Sequence, residues 1–313
     1  MKKNNIKFLC LVLFTLLYVS AVTYAGSGTT AANFLKFAVS AREAGVAGAY
    51  SAVGDDSSSI FANPAGLNSL KGKELSLGFA GYLQDSKIGI LSYAAPYKNS
   101  RLGFALSAYS IDSIERRGLN DLSGIMGASG SFSASDMAFY FSYGKKNAID
   151  NFIDDTDFGA NIKFINSKID DSSAFAAALD IGFIHNYSED IKISFVLANL
   201  GSKMKYESES DPLPLNLRAG ASYKINKTNL LGEISQYFYE DKFYPSLAAE
   251  SELRDGFILR AGYKFGYDTG NLGTYAGLSA GFGIKTSGIG IDYAYSPFGD
   301  LGDIHRFDLK IKF

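Results

Sequence analysis

The 313-residue sequence contains two histidines, one cysteine and no tryptophan, so it has few side chains for metal or nucleophilic chemistry. A hydrolytic triad needs a histidine aimed at a serine, with an acid behind it. His185 and His305 each share strand parity with large apolar neighbours, so neither faces a side on which a triad would be built. No His/Cys cluster has the spacing of a transition-metal site. Asp55-Asp56 followed by three serines lacks the glycine and closing glutamate of a calcium loop. The glycine runs near 124–130 and 277–283 do not join a strand to a helix, as phosphate binding would require. The reading is a non-enzyme, with no catalytic residue, no metal and no cofactor.

The chemistry that remains is ionic. Lys163, Asp180, Arg218, Glu233, Glu250, Arg260, Lys264 and Asp292 fall opposite large apolar residues in alternating segments. Enclosed and unpaired, such charges are costly. They are expected to pair with one another or with Arg42, Glu43, Asp55 and Asp56 near the N-terminus. Two uses stay open: a lattice that stiffens the fold, or a gate whose pairs rearrange for cargo.

The elements that carry these charges are strands. From Glu74 onward the sequence divides into about 14 segments, each close to the 9–11 residues of a membrane strand. Leu75, Leu77 and Phe79 alternate with Ser76, Gly78 and Ala80; Phe175, Leu179 and Phe183 alternate with Ala176, Asp180 and Gly182. A soluble sandwich puts its large apolar residues inward and its charges outward. Here the face opposite the large residues is mostly Gly, Ala and Ser with an occasional charge, which suits a crowded lumen inside a lipid-facing wall. Tyr82, Tyr97, Tyr109, Tyr143, Tyr187, Tyr223 and Tyr267 sit near segment ends, as an interfacial girdle would. Odd-numbered connections are expected to be the longer ones; the first, near Asp85-Ser86, and the fourth, 145–156, depart from that rule. The predicted fold is an all-β membrane protein, a closed antiparallel barrel of about 14 strands over 74–313.

Ahead of the strands lies a different kind of chain. Between Ala41 and Leu70 the small residues Gly45, Ala47, Gly48, Ala49, Ser51, Ala52 and Gly54 come almost in succession, and the stretch closes on Asn63-Pro64-Ala65-Gly66. Small residues let a backbone lie close to another surface. Pro64 confines Asn63 to extended conformations, and Gly66 is a residue that could take a positive φ at no cost. Residues 26–73 are read as a hatch, or plug, inside the barrel. Residues 1–25, with Lys2-Lys3, an apolar core and Thr23-Tyr24-Ala25, read as a secretory signal peptide cleaved after Ala25. Cys10 lies within it, which excludes a disulfide-held mature domain. A net charge of −2 excludes a basic nucleic-acid binder.

The stretch AANFLKFAVSAREAGVAGAYSAVGDDSSSIFANPAGLNSL resembles the N-terminal motif of the PorV/PorQ family, within the wider FadL-like outer-membrane barrels. The matching hatch positions are Arg42, Gly45, Gly48, Asp55, Asp56, Asn63, Pro64, Ala65 and Gly66, and the likeness extends through FVLANLG (195–201) to the C-terminus. It departs at Ala47, where the family commonly has glycine. The resemblance implies a 14-stranded barrel in the outer membrane of a Gram-negative-type bacterium, closed by its hatch. It implies contact with outer-membrane lipid and recognition of C-terminal Phe313 by the barrel-assembly machinery. For function it implies transport across, or export to, the outer membrane. The partners would be type IX secretion components and exported proteins, or else a hydrophobic, fatty-acid-like ligand. A structural envelope barrel without cargo is the third reading.

Overall fold

The computed structural model describes residues 28–118, 127, 129–150, 153–267 and 269–313; the expected leader and most of the third connection lie outside them. The strands are β1 (Glu74–Gly81), β2 (Lys87–Tyr97), β3 (Ser100–Arg116), β4 (Gly130–Lys145), β5 (Thr156–Ile169), β6 (Ser172–Asn186), β7 (Ile191–Gly201), β8 (Met204–Tyr206) and β9 (Glu209–Asp211). They continue with β10 (Asn216–Ile225), β11 (Thr228–Tyr237), β12 (Lys242–Arg254), β13 (Phe257–Lys264), β14 (Leu278–Lys285), β15 (Ile289–Pro297) and β16 (Asp303–Lys312). Fourteen of them close a barrel in which every neighbour is antiparallel, while β8 and β9 form a separate hairpin in the seventh connection. Closure is made by β1, whose Leu77 lies opposite Leu91 of β2 on one side and Leu309 of β16 on the other.

Alternation sorts the side chains. Phe79, Phe104, Phe141, Phe164, Phe175 and Phe307 stand exposed on the outside. Across β3 to β6 the rings of Phe104, Phe141, Phe164 and Phe175 form a row with centroids 5.3, 6.1 and 6.3 Å apart. An apolar exterior around a polar, small-residue interior is the arrangement of a barrel whose solvent is lipid. Closure also leaves no unpaired strand edge in that solvent. No helix among the described residues is long and apolar enough to cross a membrane.

Three expectations need correction. Tyr97, Tyr143, Tyr187 and Tyr223 are exposed near strand ends, but Tyr82 and Tyr109 point inward, where Phe37 packs against them at 4.6 and 5.8 Å. Tyr267 likewise packs among Tyr244 and Phe298 inside the rim. Tyr109 shares the parity of Gly103 and Ala105, whereas Tyr82 and Tyr267 lie just past strand ends, where parity no longer fixes direction. The fifth connection breaks the loop rule as well, being only Asp170-Asp171. Finally, β3 and β4, of 17 and 16 residues, exceed the expected strand length, with a bulge between Ile111 and Ile114.

Residues 28–73 run through the barrel from one end to the other. At the end bearing the odd-numbered connections, Thr29 Oγ1 donates to the Tyr239 carbonyl and Ala31 N to the Pro212 carbonyl, both at 3.0 Å. At the other end Phe313 N donates to the Lys73 carbonyl at 2.9 Å, beside the start of β1.

Candidate functional site

The path of residues 38–54 follows from their size. Ser40 caps the one-turn helix Ala41–Gly45, its hydroxyl accepting from Glu43 N at 3.2 Å. The helix start is also held by the wall, because Ala41 N donates to Asp308 Oδ2 of β16 at 2.8 Å. Gly45 lies against Gly281 of β14, where an added Cβ would meet the Gly281 Cα at 3.5 Å. The chain then reverses through Ala47 at φ 52° and Gly48 at φ 83°. Left-handed φ is where an L-residue is strained and glycine is not. Ala47 therefore sits at a position that favours glycine, the residue the resembling family commonly has there.

The two ends of Asn63-Pro64-Ala65-Gly66 are held differently. Asn63 is extended (φ −153°), as the following proline requires, and its Oδ1 accepts from Ala65 N at 3.0 Å. Its Nδ2 donates to the Ser51 carbonyl at 2.9 Å and the Phe183 carbonyl at 3.3 Å, tying the turn to the segment and to β6. Gly66, however, does not have a positive φ. It is needed for close approach, since a Cβ there would stand 2.5 Å from the Gly54 carbonyl oxygen. The wall makes the matching concession: Gly159 and Gly182, paired across β5 and β6, leave the space that Pro64, Ala65 and Asn63 fill.

The interior has two unlike faces. Towards β2 to β6 the segment presents Phe34, Ile60, Leu67 and Leu70 to Ala94, Ala105, Ala138, Ile165 and Ala176. Towards β12 to β16 it presents charge. Arg42 binds Glu250 through two hydrogen bonds, Nε to Oε2 at 2.9 Å and Nη2 to Oε1 at 2.8 Å. Glu250 Oε2 also accepts from Arg260 Nε at 2.6 Å, and Arg260 Nη1 donates to Asp292 at 2.7 Å. Asp292 pairs with Lys310 at 2.8 Å, Lys310 with Asp56 at 2.7 Å, and Asp56 with Arg42 at 3.1 Å. The six groups form a closed ring of alternating charge, to which Asp55 adds a further pair with Arg42. Arg260 and Asp292 reach each other past β14 because that strand offers Gly283 there, whose Cβ would stand 2.6 Å from Asp292 Oδ1. Burial alone would push the Asp56 carboxyl up, but Lys310 and Arg42 outweigh it and hold it well below the usual carboxylate range.

Two smaller clusters complete the interior. Arg218 pairs with Glu233 at 2.5 Å and with Glu43 of the segment at 3.2 Å, while Glu233 accepts from Ser51 N at 2.9 Å. Lys163 pairs with Asp180 at 2.6 Å, and Asp180 also accepts from Asn199 N at 2.8 Å, in the bulge between β6 and β7. Lys264 joins none of these; its ammonium lies 5.2 Å from the centroid of the Tyr244 ring.

Glu74, Arg306, Asp308 and Lys310 also line the interior and are absent from the sequence-derived set. The signal for three of them was present. In the last strand Phe307, Leu309 and Ile311 mark the outer face, which leaves Arg306, Asp308 and Lys310 inward.

A family model described as "Uncharacterised protein family (UPF0164)" matches residues 20–171. No curated protein matches the chain. Among solved structures, the CymD monoaromatic hydrocarbon channel superposes with a TM-score of 0.61 at 12% identity, covering 88% of this chain and 97% of its own. The Ralstonia pickettii toluene transporter TbuX gives 0.61 at 11% identity, with 86% and 98% covered. A Pseudomonas aeruginosa FadL homologue gives 0.61 at 10% identity, with 88% and 98% covered. The fold is FadL-like. At these identities the likeness concerns the fold alone.

Proposed function

We propose that this protein spans the outer membrane and admits small hydrophobic molecules, and that residues 26–73 are the hatch that closes it. The observation that carries this reading is how the hatch is held. If it withdraws, the wall keeps Glu250–Arg260–Asp292–Lys310 paired in a row, and the hatch keeps Arg42 with Asp55 and Asp56. Within the ring only the Arg42–Glu250 and Asp56–Lys310 pairs break; outside it Glu43 leaves Arg218, which keeps Glu233, and Lys36 leaves Glu240. For the ring, uncompensated buried charge, the usual penalty for breaking an enclosed ion pair, is thereby largely avoided, since each half keeps internal partners.

The apolar face towards β2 to β6 supports a hydrophobic cargo. There Ile60, Leu67 and Leu70 cover a wall of alanines that their departure would open. The fold shared with hydrocarbon channels points the same way. The test is a deletion strain scored for toluene uptake and surface proteome together. Slowed uptake, restored by the wild-type chain, is expected. Unchanged uptake with loss of surface proteins would overturn the reading in favour of the export role that the PorV/PorQ resemblance implies.

A further inference from the structure

Beneath Leu35–Ala38 the interior is not filled. A cavity of about 70 Å³ is lined by Lys36, Phe37, Tyr82, Lys264, Phe298 and Arg306, among others. A second, of about 50 Å³, shares Lys36, Phe37, Gly48 and Lys264 with it and continues to Asn216 and Arg218. Two polar groups here have a buried atom with no hydrogen-bond partner, and a third, Lys264, has no ion pair. Arg306 is 4% exposed, its Nε has no hydrogen-bond partner, and its guanidinium lies 5.5 Å from the Tyr82 ring centroid. Among the described residues neither Arg306 nor Lys264 forms an ion pair, in an interior where almost every other charge does. Asn216 is 6% exposed and its Oδ1 has no hydrogen-bond partner.

We infer that this compartment binds a compact organic anion that also carries a hydroxyl or amino group. The oxyanion supplies the direct ion pair that Arg306 and Lys264 lack, in a lining whose carboxylates, Glu43 and Asp180, are already paired with Arg218 and Lys163, and the hydroxyl or amine donates to Asn216 Oδ1. Buried cations and buried acceptors are satisfied somewhere in a native structure, and a ligand is the partner that this lining calls for. Size narrows the class. A water needs roughly 10–15 Å³ of such space, so the two cavities together take about ten non-hydrogen atoms. A long acyl chain exceeds that volume and would lie along Lys163, Asp180 and Arg218. A neutral arene would leave both cations unpaired. The inference goes beyond hydrophobic uptake and does not rest on it, since it is argued from Arg306, Lys264 and Asn216 and not from Ile60, Leu67 and Leu70. It also touches the strap. Lys36 lines both cavities and is held from above by Glu240, which accepts from Thr30 Oγ1 as well, at 2.5 Å. An anion below competes with Glu240 for Lys36.

The test is calorimetric titration of the purified barrel in detergent with D-glycerate, and with inorganic phosphate, toluene and palmitate in parallel. Glycerate is expected to bind saturably, at least tenfold more weakly to Arg306→Gln and several-fold more weakly to Asn216→Ala. Without ligand, Arg306→Gln should unfold at no lower temperature than wild type, because it removes an unpaired buried charge; an arginine with a purely structural role would behave oppositely. If Arg306→Gln does not assemble, Lys264→Gln provides the same comparison. Absence of glycerate binding to the folded wild type, or binding unchanged in the variants, overturns the inference. So does binding of toluene or palmitate that the Arg306 substitution abolishes, or of phosphate alone. Toluene uptake by cells reports separately on the channel itself.

Discussion

Arg42 bridges Glu250 of the wall to Asp55 and Asp56 of the N-terminal segment. Truncating one partner of a buried pair costs roughly 3–5 kcal/mol because the other charges stay behind. Arg42→Ala is therefore expected to speed amide hydrogen exchange across residues 41–66 by about a hundredfold or more, while leaving exchange in β3 to β6 unchanged. Uniform protection in the variant would show that the hatch is held by its apolar face instead. At this scale the sequence was legible in kind but not in partner. Strand parity identifies Glu250, Arg260 and Asp292 as enclosed charges, yet which pair forms depends on Gly283 leaving a gap in the strand between them. Lys264 has the same parity and no counter-charge, a difference that no periodicity carries.

Among the elements, residues 41–66 join a short helix, a reversal at Ala47-Gly48 and the Asn63–Gly66 turn. Their pH response follows from Asp56. The folded value lies below the unfolded one of about 3.9, so its contribution to docking is present above that pH and is lost as pH falls through the folded value. The Asp56 contribution to protection of residues 41–66 should therefore be lost only below about pH 4; protection unchanged between pH 4 and the folded value would assign acid control to another group. The turn gives a second expectation. Asn63→Ala removes the bonds to Ala65, Ser51 and Phe183, and Gly66→Val drives a side chain into Gly54. The double variant should keep heat-modifiable migration but make the outer membrane leakier to large antibiotics. Wild-type impermeability would reduce the turn to a connector. The extended Asn63 and its bond two residues ahead were readable from Asn-Pro alone. The role of Gly66 was not, because it depends on Gly54, brought alongside by the fold.

For the whole molecule, fourteen alternating segments and their order sufficed for a closed antiparallel barrel. Connection lengths were a poorer guide, as the two-residue turn at Asp170-Asp171 shows, and the β8–β9 hairpin was hidden inside a stretch that reads as loop. The inward turn of Tyr82 and Tyr267 was equally hidden, since it is set by Phe37, Tyr244 and Phe298 packing inside the rim. What the barrel does depends on whether residues 28–73 close it. Single-channel conductance in planar bilayers measures that directly, comparing the wild-type chain with one lacking residues 28–66. Glu250–Arg260–Asp292–Lys310, Arg218–Glu233 and Lys163–Asp180 remain paired without the segment, so the deletion should still assemble as a heat-modifiable barrel and conduct steadily, while the wild type stays closed apart from brief openings. Equal conductance from two correctly assembled barrels would contradict the account.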